Sequence, residues 1–506
     1  MHFRYSFYIQ HLRSNYTTLN YKFHIAVTVT VICFWAIPTL QAQENKNFLP
    51  FFLKDSVEVE RLANTFSIAI KNSYITPASI KSDYKKNYHA IRENAAEEAK
   101  HLIKYTALLD TIIAPYLEGI FKNIISLNPQ FKNNKLLVVR SPVENAFAMG
   151  DGTIFFNIGL LGSLKNESQI AFIMCHELSH GYFNHIHKGV NNYLSSLYNK
   201  DLQKEYDKIT RKGYNKNKLV KDLMMKVTLN NLYHSRNQES QADSMAFFLM
   251  KNAKYDVSQA YTALGVLDVM EDLSQPAHHT SFSSINCEDF SRLVLTDSNK
   301  PKSIFNVSVE HSNGDTLRTH PDCKLRMQAI KKLMVLTGND TTNIVEQIPD
   351  KQLLKVTHAA RLESLQSWYE HEYYDKSLYY ALLQLSNSPD NNYLKSIILL
   401  SLYQLKYHLQ KHEYADVVSN TSLSNPESLN NFLGFLHTLR ISDFPKIKVC
   451  IDQNYTTTPT QNEFIIAANF AAAMLEDDQD KAKKIAQQYK SIYPKGYFNK
   501  MIQRIN

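Results

Sequence analysis

Cysteine is scarce in this sequence, with 5 residues among 506. So few cysteines in so long a chain cannot form the dense disulfide framework that holds small secreted domains together. The chain also has no arginine-rich run and no basic stripe interleaved with aromatic residues, and its net charge of +8 is mild. We therefore expect no nucleic-acid partner.

Long apolar segments are also missing after residue 42. A transmembrane helix needs about 20 consecutive apolar residues, so we expect no stable membrane span in the mature chain. The overall composition is that of a folded globular protein, with 44% hydrophobic and 21% charged residues. A chain of 506 residues is too long for one compact core, which predicts two or three domains.

The first 42 residues have the pattern of a signal peptide. Basic residues precede an apolar run from Ile25 to Ile37, no acidic residue interrupts the segment, and Ala42 is a small residue at a plausible cleavage site. We expect residues 1–42 to be removed and the mature protein to be exported, periplasmic or associated with the outer side of the inner membrane. An uncleaved signal anchor is the alternative.

Removal of this leader would take away Cys33 and leave Cys175, Cys287, Cys323 and Cys450. Cys175 lies in an apolar helical run, where cysteine commonly acts as a small apolar core residue. Cys287 and Cys323 bracket a polar insertion, and a disulfide between them would close it. The sequence leaves their pairing open.

The most informative stretch is a His-Glu-x-x-His motif, His176-Glu177-Leu178-Ser179-His180, within an apolar helical run. Residues four apart lie on the same face of a helix, so His176 and His180 can direct both imidazoles at one cation. This spacing is typical of zinc hydrolases. A motif this short also arises by chance, so other segments have to support it.

The helix that carries this motif has recognisable ends. Asn166 is a good N-cap, with Gln169 at the capping-box position. Because the helix ends shortly after the motif, His185 and His187 are interpreted as surface histidines. The charged residues 199–222 are interpreted as a solvated connection that could form a lid over the site.

A third metal ligand is expected elsewhere in the chain, because two-histidine zinc sites need one more carboxylate or histidine. Glu239 and Asp243 are four residues apart and share one face of a predicted helix. Glu239 would bind the metal, and Asp243 would orient a ligand histidine. An acidic pair on a solvated face is the alternative, but the apolar run Met245–Met250 follows directly and buries this helix.

A β-hairpin is predicted just before the motif. The runs Lys135–Arg140, Asn145–Met149 and Thr153–Asn157 favour strands, and Gly150-Asp151-Gly152 favours a tight turn between the last two. The edge strand at Asn145-Ala146-Phe147 could bind an extended peptide by strand addition. The alternative is a hairpin that only covers the core.

After about residue 350 the sequence becomes rich in Tyr and Leu and contains no motif of chemical interest. Helix pairs at Leu362–Leu385 and Ala467–Tyr493 resemble tetratricopeptide repeats. Stacked repeats leave a concave surface for a protein partner, and a helical cap on the preceding domain is the alternative. The predicted division is 1–42 signal peptide, 43–345 peptidase domain and 346–506 helical domain.

From about residue 136 to 333 the sequence resembles the zinc metallopeptidase family that includes the CAAX prenyl protease and the bacterial heat-shock protease HtpX. The segments that carry the resemblance are Asn145-Ala146-Phe147, Gly152–Leu161, His176–His180, Glu239–Asp243, and Thr319-His320-Pro321 with Arg326. The resemblance implies a zincin-like α+β fold, mostly α, with a small β-hairpin or sheet.

The resemblance also implies a role for each matching residue. One zinc ion per chain would be bound by His176, His180 and Glu239, and Glu177 would be the catalytic base. His320 and Arg326 would line the site, with His320 steadying the oxyanion. The two named members carry transmembrane helices that this chain lacks, so it is more similar to the exported, soluble BepA-like branch with tetratricopeptide-like helices.

These features together predict a zinc-dependent endopeptidase that cleaves polypeptides, namely exported or misfolded proteins. The alternative is a chaperone-like binding module that uses its C-terminal helices while the protease site is latched. A polar insertion at residues 274–318 could provide the latch, because His278 or His279 could occupy the open zinc position.

Overall fold

The computed structural model describes residues 48–51, 56–74, 82–197, 204, 208, 236–270, 285, 323–342, 344–422, 425–454 and 462–505. The predicted signal peptide, His278, His279, His320 and nearly all of the predicted lid and insertion lie outside these residues. Within them, no helix is both long and apolar enough to cross a membrane.

A three-stranded sheet forms the only sheet in the described part of the chain. Its strands are β1 (Leu136–Val139), β2 (Ala146–Ala148) and β3 (Ile154–Asn157), in the order β1-β3-β2. β1 runs parallel to β3, whereas β2 is antiparallel to β3. Gly152 has a φ of +79°, a conformation that glycine adopts without a steric cost, between β2 and β3. The predicted hairpin is confirmed.

The first helices cover both faces of this sheet. They are α1 (Ser56–Ser73), α2 (Ser82–Thr106) and α3 (Ile113–Leu127). Val138 and Phe156 belong to the core that contains α3, whereas Leu137 and Phe155 belong to the core that contains α1 and α2. This division follows from strand geometry, because successive side chains point to opposite faces.

The next helices include those that carry the residues of the predicted metal centre. They are α4 (Ile158–Leu161), α5 (Glu167–Tyr182), α6 (His185–Leu197), α7 (residues 236–252), α8 (Ser258–Met270) and α9 (Cys323–Leu336). Asn166 caps α5 as predicted, because its side chain accepts a hydrogen bond from the Gln169 backbone N–H. The Gln169 side chain accepts from the Lys165 N–H at 2.7 Å, one residue before the position of a regular capping box.

Helices joined by turns and loops make up the described residues of the C-terminal region. Its helices are α10 (Lys351–Glu370), α11 (Tyr374–Leu385), α12 (Asn392–Gln410), α13 (Tyr414–Val417), α14 (Glu427–His437), α15 (Phe444–Asn454), α16 (Glu463–Leu475), α17 (Gln479–Ile492) and α18 (Asn499–Ile502), with short 3-10 turns at Ile441–Asp443 and Gln503–Ile505. A further 3-10 turn, Pro129–Phe131, follows α3 near the start of the chain. The predicted fold class, mostly helical with a small sheet, is confirmed. The tetratricopeptide-like character stays a prediction.

Helix α10 packs into two cores. Leu353 and Val356 in its first half join the core of α3, α5 and α8, whereas Leu365 and Trp368 in its second half join the core of the C-terminal helices. The helix thus lies where the predicted peptidase and helical domains meet, just after the predicted boundary at residue 345. The bounds of the domains stay a prediction.

A buried ionic contact joins α10 to the end of β1. The Arg140 guanidinium contacts Glu363 at 2.7 Å and Glu370 at 2.9 Å, and the Phe51 backbone N–H donates to Glu363 at 3.0 Å. We call Arg140, Glu363 and Glu370 the Arg140 cluster. Burial raises the pKa of Glu363 to about 7, since Arg140 and the Phe51 N–H offset only part of the cost of burying a charge.

The cysteines correct one interpretation of the sequence. Cys323 forms no disulfide and is buried at the start of α9, with 1% of its surface exposed, so the bridge between Cys287 and Cys323 that the sequence allowed is wrong. Cys450 is disulfide-bonded instead. Cys175 is also free and fully buried in α5, where it fills space among apolar side chains as predicted.

Candidate metal centre

Helix α5 presents the motif from inside the core. Ile170, Phe172 and Leu178 are fully buried, so the helix has little freedom to rotate. His176 is 6% exposed, whereas Glu177 is half-buried and reaches the partly open side of the site. The sequence folds this way locally because apolar residues surround the motif on most sides of the helix.

Helix α7 brings the predicted third ligand to the two histidines. The Nε2 atoms of His176 and His180 lie 3.0 Å apart. Glu239 Oε2 lies 3.4 Å from His176 Nε2, and Glu239 Oε1 lies 3.5 Å from His180 Nε2. One ligand atom from each of the three residues lies within 4.8 Å of the others, an arrangement that can hold a metal ion.

Asp243 lies one turn after Glu239 and contacts the far side of His176. Its Oδ1 atom lies 2.9 Å from His176 Nδ1, which leaves His176 Nε2 directed at the other two ligands. Ligand histidines commonly donate their second ring N–H to a carboxylate, which fixes the orientation of the ring. The contact between Asp243 and a ligand histidine was predicted from the four-residue spacing.

Arg326 of α9 completes a buried ionic group behind the ligands. Its guanidinium donates two hydrogen bonds of 2.7 Å to Asp243 and lies 3.3 Å from Glu239 Oε2. We call Arg326, Asp243 and Glu239 the Arg326 cluster. Burial opposes ionisation of Asp243, but Arg326 and the hydrogen bond with His176 outweigh it and lower the pKa of Asp243 to about 2.

The charges of the cluster favour a cation at the ligand atoms. Two carboxylates face one guanidinium, so one negative charge is left uncompensated in a buried space. Burial disfavours a charged His176, yet hydrogen bonds to Asp243 and Glu239 and the charges of both raise the pKa of His176 to about 10. Surroundings that favour a proton on the imidazole favour a metal cation there as well. The donor set of two imidazoles and a carboxylate therefore fits a divalent metal such as zinc.

The edge strand reaches the site through its backbone. The Ala148 N–H donates a hydrogen bond of 2.9 Å to Glu177 Oε2. Asn145 and Met149 bond to β3 through Asn157 N–H and Thr153 C=O. Backbone groups alternate in direction along an antiparallel strand, so those of Ala146 and Ala148 point to the opposite edge, beside Glu177.

The remaining predicted site residues fall into distinct places. Ala146 is buried, and the Phe147 ring stacks on Phe155 with centroids 5.2 Å apart, so this side chain packs on the sheet. Arg326 is 7% exposed and lies near the site, as the resemblance implied. Its guanidinium contacts Glu239 and Asp243. His320 lies outside the described residues, and its role stays a prediction.

His185 was interpreted as a surface histidine, and this is wrong. It is fully buried, and its Nδ1 atom lies 2.9 Å from His180 Nδ1. Asn184 adopts a left-handed conformation with a φ of +53°, so the chain turns sharply between α5 and α6 and places His185 beneath the ligand. Asparagine tolerates this conformation better than most residues. An asparagine just after the end of α5 was therefore the sequence feature that could have indicated this turn.

The geometry brings together three side chains that could hold a metal ion, and the comparison with known proteins is consistent with this arrangement. Residues 114–334 match the model of Peptidase family M48. The chain is also similar to the mitochondrial metalloendopeptidase OMA1 of Arabidopsis thaliana, with 29% identity over 138 residues. That alignment covers 26% of this chain and 26% of the relative, so it spans about a quarter of the relative's length. Both similarities support a metallopeptidase.

Proposed function

We propose that this protein is a zinc-dependent endopeptidase. The observation that carries the proposal is the convergence of His176, His180 and Glu239 next to a half-buried Glu177 at the open edge of β2. Two imidazoles, one carboxylate and an adjacent second carboxylate are the groups that metal-assisted hydrolysis requires. The match to Peptidase family M48 covers all four residues.

In the proposed mechanism, His176, His180 and Glu239 hold the metal. A bound zinc ion supplies Lewis-acid polarisation of a carbonyl group and acidification of water. Glu177 accepts the proton of the attacking water and passes it to the leaving amine. The hydrogen bond from Ala148 N–H holds one oxygen of this carboxylate at 2.9 Å, which orients the other oxygen.

Strand β2 is the proposed binding edge for the substrate. Because the backbone groups of Ala146 and the carbonyl of Ala148 point away from β3, an extended peptide could pair with them and continue the sheet, while the Ala148 N–H stays bonded to Glu177. A peptide bound in this way runs directly past Glu177, since Ala148 already contacts that carboxylate. Cleavage within an extended segment is endopeptidase activity, and endopeptidase is also the class named for the Arabidopsis relative.

The substrates proposed here are exported or misfolded proteins, with the C-terminal helices as a surface that selects them or binds a partner protein. The predicted signal peptide supports an exported location, and the helical region after α10 has its own large core. Trapping substrates with the Glu177→Gln variant and identifying them by mass spectrometry would name them.

The proposal is tested by the Glu177→Gln variant with purified protein and an unfolded substrate. Loss of the base should lower kcat by about 10²- to 10⁴-fold while stoichiometric zinc is retained. The control is Glu118→Gln, which removes an exposed carboxylate on α3 that pairs with Lys122. Full activity in Glu177→Gln, or cleavage that persists after removal of the metal by a chelator, would contradict the proposal.

A further inference from the structure

Ligand residue His180 has an outer partner of a different kind from that of His176. His176 contacts the carboxylate of Asp243, whereas His180 contacts the imidazole of His185, with the two Nδ1 atoms 2.9 Å apart. The second ring nitrogen of His185, Nε2, lies 3.2 Å from Gln241 Oε1. A series of contacts thus runs from the ligand through His185 to helix α7, which also carries Glu239.

Only one arrangement of protons suits this series when His180 binds a metal. His180 Nε2 faces His176 Nε2 and Glu239, so its lone pair has to be free for a cation and its proton has to be on Nδ1. His180 Nδ1–H then donates to the unprotonated Nδ1 of His185. A neutral His185 whose Nδ1 is unprotonated carries its proton on Nε2, and this N–H donates to the side-chain oxygen of Gln241.

The position of His185 is fixed by its surroundings. The Phe183 ring stacks on the His185 ring with centroids 5.5 Å apart and an angle of 19° between the planes. Full burial lets no water replace the acceptor that His185 offers to His180.

We propose that His185, oriented by Gln241, is a positioning residue that holds His180 in the tautomer and orientation required for metal binding. The inference rests on the proposed function, because it assigns a partner to one ligand of that site. It also gives α7 three roles at the centre, because this helix supplies the ligand Glu239, the carboxylate of Asp243 that orients His176, and the amide of Gln241 that orients His185.

Two variants of similar size separate this role from simple packing. In His185→Asn, the side-chain oxygen is attached at the same carbon as Nδ1 of histidine and can still accept from His180. In His185→Gln, the amide lies one atom further along the side chain, near the former Nε2, and the acceptor for His180 is lost. We expect His185→Gln to weaken zinc binding by about 10- to 100-fold, and His185→Asn to stay within a few-fold of the wild type.

The measurement is zinc affinity by competition with a chelator, together with the absorption spectrum of the cobalt-substituted protein, which reports ligand geometry. His187→Gln is the matched control, because His187 lies two residues further on α6 and contacts the Gly150 carbonyl at 3.0 Å instead of a ligand. Circular dichroism and thermal unfolding of the zinc-free variants check that each one folds.

The outcomes distinguish this inference from the proposed function. A wild-type protein without measurable zinc affinity would overturn the proposed function and, with it, the role of His185. A wild type that binds zinc while His185→Gln binds it equally well would overturn only the inference. Equal weakening in His185→Asn and His185→Gln would also overturn it, because the acceptor for His180 would then not be the feature that matters.

Discussion

Two buried arginines in this protein each face a pair of carboxylates. Arg326 contacts Asp243 and Glu239 at the metal centre, whereas Arg140 contacts Glu363 and Glu370 where β1 meets α10. Each cluster contains one guanidinium and two carboxylates, but one carboxylate in each shows an opposite pKa shift. The pKa of Asp243 is lowered to about 2, and the pKa of Glu363 is raised to about 7.

The contacts explain this difference. Asp243 accepts two hydrogen bonds from Arg326 and its Oδ1 atom lies 2.9 Å from His176 Nδ1, and these contacts together outweigh the cost of burial. Glu363 has one short contact with Arg140 and accepts a hydrogen bond from the Phe51 backbone N–H. These contacts do not offset the cost of burying the charge, so the pKa of Glu363 rises. The Arg140 cluster can therefore lose its excess negative charge by taking up a proton on Glu363. The Arg326 cluster keeps its carboxylate charged and needs a cation beside it.

A buried arginine with two acids is thus not by itself a sign of function. The Arg326 cluster is a candidate site because its Glu239 carboxylate lies next to the Nε2 atoms of two imidazoles, His176 and His180. The Arg140 cluster has no imidazole among its contacts in the described residues, and its partners join two cores. We therefore expect substitutions in the Arg326 cluster to affect metal binding and substitutions in the Arg140 cluster to affect stability.

The largest effect is expected from replacing Glu239. Glu239→Gln keeps the size of the side chain but removes the charged ligand, so the variant should lose stoichiometric zinc and the activity with it. The matched control is Glu363→Gln, which makes the same change at the corresponding position of the Arg140 cluster and should retain zinc. Zinc content after dialysis is the measurement. Full zinc content in Glu239→Gln would remove Glu239 from the ligand set.

A smaller effect, on folding alone, is expected from replacing Arg140. Arg140→Met leaves Glu363 and Glu370 without their buried partner and should lower the free energy of unfolding by about 3–5 kcal/mol. The zinc affinity should not change, because Arg140 contacts none of the ligands. The measurements are urea unfolding and chelator competition on the same protein.

The control for Arg140→Met is Arg61→Met on α1. Arg61 pairs with Glu58 at 2.6 Å, but 63% and 42% of the two side chains are exposed. An exposed pair of this kind contributes at most about 1 kcal/mol. Equal destabilisation by both substitutions, or a weakened zinc site in Arg140→Met, would end the distinction between a structural and a functional cluster.

Local spacing made much of the arrangement of residues at the candidate metal centre predictable from the sequence. The histidines of the motif and the pair Glu239 and Asp243 are each four residues apart, so helical geometry alone puts them on shared faces. The hairpin and the cap at Asn166 were predictable for the same reason, because turn and cap residues act over a few positions. The order of the pieces along the chain then allowed them to be assembled into one site.

Contacts between distant segments could not be predicted. Arg140 and Glu370 are 230 residues apart, and no pattern around either one indicates the other. His185 was misjudged because its burial depends on a single left-handed residue, Asn184, that turns the chain back under α5. Cys323 was a candidate for a disulfide because it borders an insertion, but the structure uses it as a buried residue of α9.

The smallest predicted effect concerns how stability depends on pH. The pKa of Glu363 is raised by burial from 4.5 to about 7 in the folded protein. The folded state therefore holds this proton more tightly than the unfolded state, so the contribution of Glu363 to stability is highest below pH 4.5 and falls as the pH rises through 7. Glu363→Gln cannot ionise and should lack this contribution to the fall.

Urea unfolding of the zinc-free protein at pH 5 and at pH 8 measures the difference. A pKa shift of one unit corresponds to about 1.4 kcal/mol, so the unfolding free energy of the wild type should fall by more than that relative to Glu363→Gln. Glu118→Gln, at an exposed pair on α3, should keep the wild-type dependence. Parallel pH dependences of the unfolding free energy for the wild type and Glu363→Gln would mean that Glu363 stays ionised. The carboxylates of both arginine clusters would then be charged alike.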